Sequence, residues 1–399
     1  MRIFIMSPAN CATGGPELLQ QFARCLMDNG IEAYMLYPDA EGTNCPIPEV
    51  YWKYHTKYVS KYVDREDSVL VLAETMLHYM DLCQKGTVMV WWLSVNNYIL
   101  TYKSLVKQND WDVFGLKSRE NLVHFVQSYY AKDFIYKCMG ITNVYYLKDY
   151  INSEILEYAS SYGDICERKN ICLYNPKKGY EKLLAVIKAC RKDIIWMPLN
   201  NYTPLEMAEL MCHSKLYIDF GPHPGKDRIP REAAICGCCV LTNREGSAAY
   251  WEDVGIPESY KIKDSDNVTY VLEKIYDLID HYEERTQEYS DYRQKIRQEK
   301  EEFLRETLDA IIILKAHIKD VEETGCNTKV AAEQIKMLES LQSAVIQMEE
   351  LLCEAKDACL NNCTSKTIDK LLTLDYLIQV ARESIYIELT ELASLRREK

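Results

Sequence analysis

The sequence predicts an α/β fold of two Rossmann-like domains facing across a cleft, followed by a C-terminal α-helical extension. Three observations carry that expectation. Short apolar runs alternate with stretches of helical period as far as Leu278; the alternation starts afresh at Asn170; and beyond His281 the strand-like runs vanish, Gly325 being the last glycine. Strands separated by helices imply parallel sheets covered on both faces. A chain of 399 residues has room for two or three such domains, and the expected divisions are 1–165, 166–284 and 285–399.

In the first domain, Arg2–Ser7 reads as a strand, Gly14-Gly15-Pro16 as a turn, and Glu17–Asn29 as a helix that Gly30 ends before the strand Ile31–Tyr37. Val69–Ala73, Thr87–Leu93, His124–Ser128 and Asn143–Leu147 are the following buried runs. The second domain opens with the strand Asn170–Tyr174 and continues through the helix Gly179–Cys190, the strand Asp193–Met197 and the helix Pro204–His213. Leu216–Phe220, a helix Arg231–Cys236 ended by Gly237, and the strand Cys239–Thr242 complete its core. Residues 285–323, 328–361 and 365–396 read as three long amphipathic helices, broken near Gly325 and Asn361-Asn362, and are expected to serve self-association or a protein partner.

Most of the chemistry lies between Tyr217 and Asn243. Gly221, Pro222, Pro224 and Gly225 break regular structure and let the backbone approach a ligand, and Pro230 suits the first turn of a helix. Lys226, Arg228 and Arg231 stand beside free backbone N–H groups and the positive end of a helix dipole, an arrangement that favours phosphate. The net charge of −13, with 60 acidic residues, excludes a nucleic-acid binder. An anionic ligand must therefore be captured by a few placed cations.

Most of the sixteen cysteines fall inside apolar patterns, as at Cys25, Cys190 and Cys212, where a thiol acts as a small hydrophobe. Neither Cys236, Cys238 and Cys239 nor Cys326, Cys353, Cys359 and Cys363 shows zinc-ligand spacing. Asp264-Ser-Asp266 precedes a helix starting near Val268 and reads as a cap. No apolar run approaches the roughly 18 residues needed to cross a bilayer, and Met1–Met6 reads as a strand rather than a signal peptide. A cytoplasmic location is expected, with room for peripheral membrane contact.

Taken together, Gly14-Gly15, Asn175-Pro-Lys-Lys-Gly179, the helix start at Thr203-Pro-Leu-Glu-Met207, Arg231–Asn243 and Glu245-Gly-Ser247 resemble the GT-B glycosyltransferases. They are most similar to bacterial surface-polysaccharide enzymes of glycosyltransferase family 4 (group 1-like). The resemblance covers roughly residues 1–300. It implies a hexosyltransferase with a UDP- or GDP-linked sugar as donor substrate, a glycan or lipid-linked acceptor, no separate cofactor and no bound metal, since helix dipoles and cations stabilise the leaving diphosphate. Lys178, with Lys177 as fallback, falls where a phosphate contact is expected. Glu232 matches the glutamate that holds the ribose hydroxyls, and Lys226, Arg228, Arg231, Asn243, Ser247, Gly14 and Gly15 complete the implied donor set. Many retaining members carry a second glutamate eight residues earlier; here Pro224 stands in its place, and His223 beside it is the substitute as a donor to the sugar. Trp91–Asn97 and His124–Tyr130 resemble acceptor-side runs, although a Trp pair ending a buried strand is ordinarily core. Glu74, just after the Val69–Ala73 strand, is the best-placed general base. Two further readings share the architecture: a nucleotide-sugar 2-epimerase, which would need no acceptor, and a non-catalytic scaffold acting through its helical tail.

Overall fold

The computed structural model describes residues 1–38, 45–163 and 165–323, with side chains to residue 318. The chain forms one compact unit over Met1–Lys319 and a second over Asp320–Lys399. The expected helices 328–361 and 365–396, and Cys326, Cys353, Cys359 and Cys363, lie outside the described residues.

The first half is a seven-stranded parallel sheet of β1 (Arg2–Met6), β2 (Glu32–Leu36), β3 (Tyr58–Val59), β4 (Ser68–Ala73), β5 (Thr87–Trp92), β6 (Leu122–Val126) and β7 (Val144–Tyr146), in the order β3-β2-β1-β4-β5-β6-β7. Every residue of β4, β5 and β6 is buried. That is why these strands read as continuous apolar runs rather than alternating ones. The pleat sends neighbours to opposite faces: Val69 and Val71 join one core, Leu70 and Leu72 the other. Trp91 and Trp92 divide in the same way and are fully buried, so the tryptophan pair is core.

Helices α1 (Gly14–Asp28), α2 (Val95–Tyr102), α3 (Tyr129–Met139) and α4 (Ser153–Tyr162) belong to this half in sequence. The Gly14-Gly15-Pro16 segment, expected as a turn, is the first turn of α1; proline is tolerated there because its missing N–H would have no helical partner. Strand β3, only two residues long, has no counterpart among the expected elements.

The second half is a four-stranded parallel sheet of β8 (Lys169–Tyr174), β9 (Ile195–Pro198), β10 (Ser214–Asp219) and β11 (Cys239–Thr242), in the order β11-β10-β8-β9. Its helices are α5 (Tyr180–Ala189), α6 (Pro204–Cys212), α7 (Arg228–Ile235) and α8 (Val268–Asp280). Helix α7 begins at Arg228, one turn earlier than the Arg231 start expected from Pro230. Asn267 caps α8, and Asp264 accepts the Asp266 amide in the turn before it, so this Asp pair belongs to a helix entry.

Each sheet has a point at which successive strands depart in opposite directions, and ligands of open α/β sheets bind beyond the strand carboxyl ends there. In the first sheet it lies between β1 and β4, hence at the α1 start and Glu74. In the second it lies between β8 and β10, hence at Asn175–Gly179 and the loop from Phe220 to Asp227.

The segment 285–323, expected as one helix opening an extension, is interrupted and partly internal. It passes through α9 (Tyr282–Arg285) and a 3-10 turn at Thr286–Tyr289 before α10 (Ser290–Glu323). Phe303, Ala310, Ile311, Leu314 and Ile318 of α10 pack into the first-half core with Ile3, Ile5 and Phe22. Their spacing of three, four and seven residues gives α10 an apolar stripe, and this unit contains the core that covers it.

Candidate functional site

A cleft of about 1000 Å³ opens between the halves. Its first-half wall comes from the β1–α1 loop and the start of α1, the Val50–Lys53 segment, the turns after β4, β5 and β6, and Asp149 and Asn152; its second-half wall comes from Pro204, Pro224–Ile229 and Glu232. The halves touch closely behind it. The Val95 amide donates to the Pro224 carbonyl at 2.9 Å, and a Cβ at Gly225 would fall 2.1 Å from the Leu93 carbonyl oxygen, so only glycine allows that approach. The Tyr129 and Tyr130 amides at the start of α3 donate to Asp253 of the second half at 2.8 and 2.9 Å. Tyr250 likewise donates to Asp133 at 2.6 Å.

Two buried carboxyls line the cleft from opposite walls. Glu74 is 2% exposed, and its Oε2 accepts the Leu93 amide at 2.8 Å; burial outweighs this and neighbouring backbone hydrogen bonds and pushes its carboxyl up to about 7. Glu232 is 5% exposed; its backbone carbonyl takes the Cys236 amide, but its carboxyl accepts no hydrogen bond from the described residues. Burial raises it to about 7 as well, against the pull of Arg228 and Arg231. Each is a carboxyl poised to change protonation near neutrality in a cleft, the environment typical of functional sites.

From the cleft lining inward, a charge network joins both halves to α10. Arg231 is fully buried, donating to Asp149 at 2.7 and 2.9 Å and to Glu299 at 2.7 Å. Lys226 Nζ lies 2.9 Å from the other oxygen of Glu299. Arg228 reaches Asp149 at 3.2 Å and pairs with Glu17 in the first turn of α1, whose second oxygen accepts Tyr54 at 2.8 Å. Burial alone would raise Asp149, but Arg231, Arg228 and Lys226 overcome it and hold the carboxylate well below the usual range.

A second cluster sits at the β8/β10 switch point. Lys178 Nζ lies 3.1 Å from Asp219 and pairs with Asp227, and His223 Nδ1 lies 2.9 Å from Asp227. Asp219, His223 and Asp227 converge closely enough to ligate a cation, but the ammonium of Lys178 already stands between the two carboxylates. Gly179, at φ 71°, lets the β8 loop run against the Gly221 backbone, where a Cβ would fall 2.4 Å from the Gly221 nitrogen.

The expected site residues are therefore divided. Gly14, Gly15, Glu74, Lys226, Arg228 and Glu232 line the cleft. Arg231 lies beneath it, and Lys178 borders a smaller cavity of about 250 Å³ beside Asn175 and Arg228. Lys177 is exposed, outside either lining. His223, Asn243 and Ser247 are buried and not brought to the cleft: Asn243 donates to the Gly221 carbonyl at 2.9 Å and Ser247 to the Gly225 carbonyl at 2.6 Å, fastening the loop, while His223 faces Asp227. Of the acceptor-side runs, His124 is buried against Trp92, and burial lowers it to about 4. Ser94, Asn97 and Gln127 do reach the cleft. Sequence reasoning missed Glu17, Asp149, Asp227 and Glu299. The one available signal was indirect: three clustered cations beside an apolar helix needed carboxylate partners.

No protein-family model matches the chain, and no curated protein sequence does. Among solved structures, the chain is similar to Anabaena HepE in complex with UDP-glucose (TM-score 0.53, 11% identity, covering 78% of this chain and 99% of that one). It is also similar to the α,α-trehalose 6-phosphate synthase of Burkholderia multivorans (TM-score 0.52, 9% identity, covering 82% and 99%). A third is the N-terminal domain of the Candida albicans trehalose-6-phosphate phosphatase (TM-score 0.51, 10% identity, covering 79% and 96%). These likenesses establish the fold: two Rossmann-like domains across a cleft, the GT-B arrangement, with a C-terminal helix.

Proposed function

We propose that the protein is a glycosyltransferase, moving a sugar from a nucleotide-sugar donor to a glycan or lipid-linked acceptor in surface-polysaccharide synthesis. The observation that carries this is the pair of buried carboxyls, Glu74 and Glu232, on opposite walls of one cleft at the strand carboxyl ends. The Glu232 carboxyl, without a hydrogen-bond partner among the described residues, accepts from the ribose hydroxyls. Arg228 and the first-turn amides of α1 at Gly14 and Gly15 receive the diphosphate, which carries away the electron pair of the broken sugar–phosphate bond. Glu74 takes the proton of the acceptor hydroxyl as its oxygen bonds to the sugar's anomeric carbon.

The test is a thermal-shift panel of UDP-, GDP- and ADP-linked sugars, followed by diphosphate release with and without saccharide acceptors. The reading expects stabilisation by one nucleotide class and release that depends on an acceptor. Consumption of the nucleotide sugar without any acceptor would favour the epimerase, and no shift with any nucleotide would favour the scaffold.

A further inference from the structure

The first-half wall of the cleft has a definite electrostatic character. The turns after β4, β5 and β6 present Glu74, Thr75, His78, Ser94, Asn97 and Gln127, and no lysine or arginine among the described residues. The cations elsewhere in the lining are Lys53, Lys226 and Arg228. Each is already engaged: Lys53 lies 3.5 Å from Glu154, Lys226 2.9 Å from Glu299, and Arg228 pairs with Glu17 and lies 3.2 Å from Asp149. The carboxyls of the same lining, Glu17, Glu74, Asp149, Asp227 and Glu232, outnumber those cations. A donor diphosphate takes up what positive potential Arg228 can release.

We infer that the acceptor is an uncharged polyhydroxyl compound, a glycan hydroxyl rather than a sugar phosphate, received by the turns after β4, β5 and β6. The inference rests on the glycosyltransferase reading. Hydroxyl, amide and imidazole groups on this wall can donate to and accept from sugar hydroxyls, while a phosphate would meet a carboxyl and no lysine or arginine there, with the donor diphosphate nearby. A phosphate beside Glu74 would also disable it: its carboxyl, already raised to about 7 by burial, would be pushed higher by a neighbouring dianion and stay protonated.

The experiment loads the full chain with UDP or GDP, whichever binds, and titrates it with glucose 6-phosphate and inorganic phosphate. Diphosphate release is then compared for neutral saccharides and their 6-phosphates. The expected result is no saturable binding of either phosphate compound, and release with a neutral saccharide at least about tenfold faster than with its phosphorylated counterpart, the scale of an unscreened like-charge contact. Asn97→Arg, which sets a cation on this wall, should create glucose 6-phosphate binding. Saturable glucose 6-phosphate binding to the wild-type chain, or faster release with sugar phosphates, overturns the inference while leaving the glycosyltransferase reading intact. No gain in Asn97→Arg overturns the assignment of the wall. Failure of every nucleotide to bind removes the donor site, and this inference with it.

Discussion

Glu74 and Glu232 are alike in burial, and in the proposed reaction they have opposite tasks, so their variants should separate cleanly. Glu74→Gln cannot accept a proton and is expected to lower kcat about 10²–10⁴-fold, the range for a lost general base, with donor affinity nearly unchanged. Because the wild-type base works ionised and sits near 7, kcat/KM should climb as pH rises through that value; a flat profile from pH 6 to 8 would remove Glu74 from the role. Glu232 obeys the same sign for binding: ribose hydroxyls favour its charged form, so donor affinity weakens below about pH 7 and binding releases protons. For stability the sign reverses. A carboxyl raised from 4.5 to about 7 binds more protons folded than unfolded, so folding loses stability as pH rises between those values. Glu232→Gln should therefore stabilise the ligand-free protein by about 3 kcal/mol at pH 8, with no gain at pH 4. Urea unfolding at the two pH values checks this, and an equal effect at both would contradict it.

At the scale of elements, α1, α7 and α10 meet through one buried network, and removing a partner should cost more than any surface contact. Asp149→Asn leaves Arg231 and Arg228 short of a carboxylate and is expected to lose about 3–5 kcal/mol in denaturant titration. A loss below about 1 kcal/mol, the level of an exposed pair, would show the network to be solvated. This network also marks where sequence reading stops. Strands β4, β5 and β6 were legible because a parallel strand buried on both faces is continuously apolar. So was the cation cluster at Lys226, Arg228 and Arg231, which adjoins a helix start. Their partners Glu17, Asp149 and Glu299 were not, since they come from three other segments separated by 68 to 211 residues and carry no local pattern. Helix α10 was legible as a helix, but its stripe at Phe303, Ala310, Leu314 and Ile318 could not say which core would cover it. Lys178 was legible as a cation at a strand end, while Asp219 and Asp227, which hold it, come from the end of β10 and the loop before α7.

For the whole molecule, α10 decides where the chain can be cut. A chain ending at Lys319 keeps the compact unit and should bind nucleotide as the full chain does. One ending at Tyr289 loses Phe303, Ile311 and Leu314 from the first-half core and Glu299 from the charge network, and should not fold cooperatively. Circular dichroism melts of the two chains separate these outcomes. Turnover should also survive EDTA, because Lys178 already occupies the space between the Asp219 and Asp227 carboxylates and, in the proposed reaction, the diphosphate is left to side-chain cations and helix dipoles; loss of turnover restored by manganese would count against that. The central claim is that this cleft holds a ribonucleotide diphosphate, with Glu232 on the ribose and Arg228 on the phosphates. Calorimetric titration of the wild-type chain and Glu232→Gln with UDP, GDP and their 2′,3′-dideoxy analogues tests it most directly. Glu232→Gln is expected to weaken the ribonucleotide by roughly 1–3 kcal/mol, a charge-assisted hydrogen bond, and to leave the dideoxy analogue unchanged; equal losses for both ligands, or no binding of either by the wild-type chain, would contradict this.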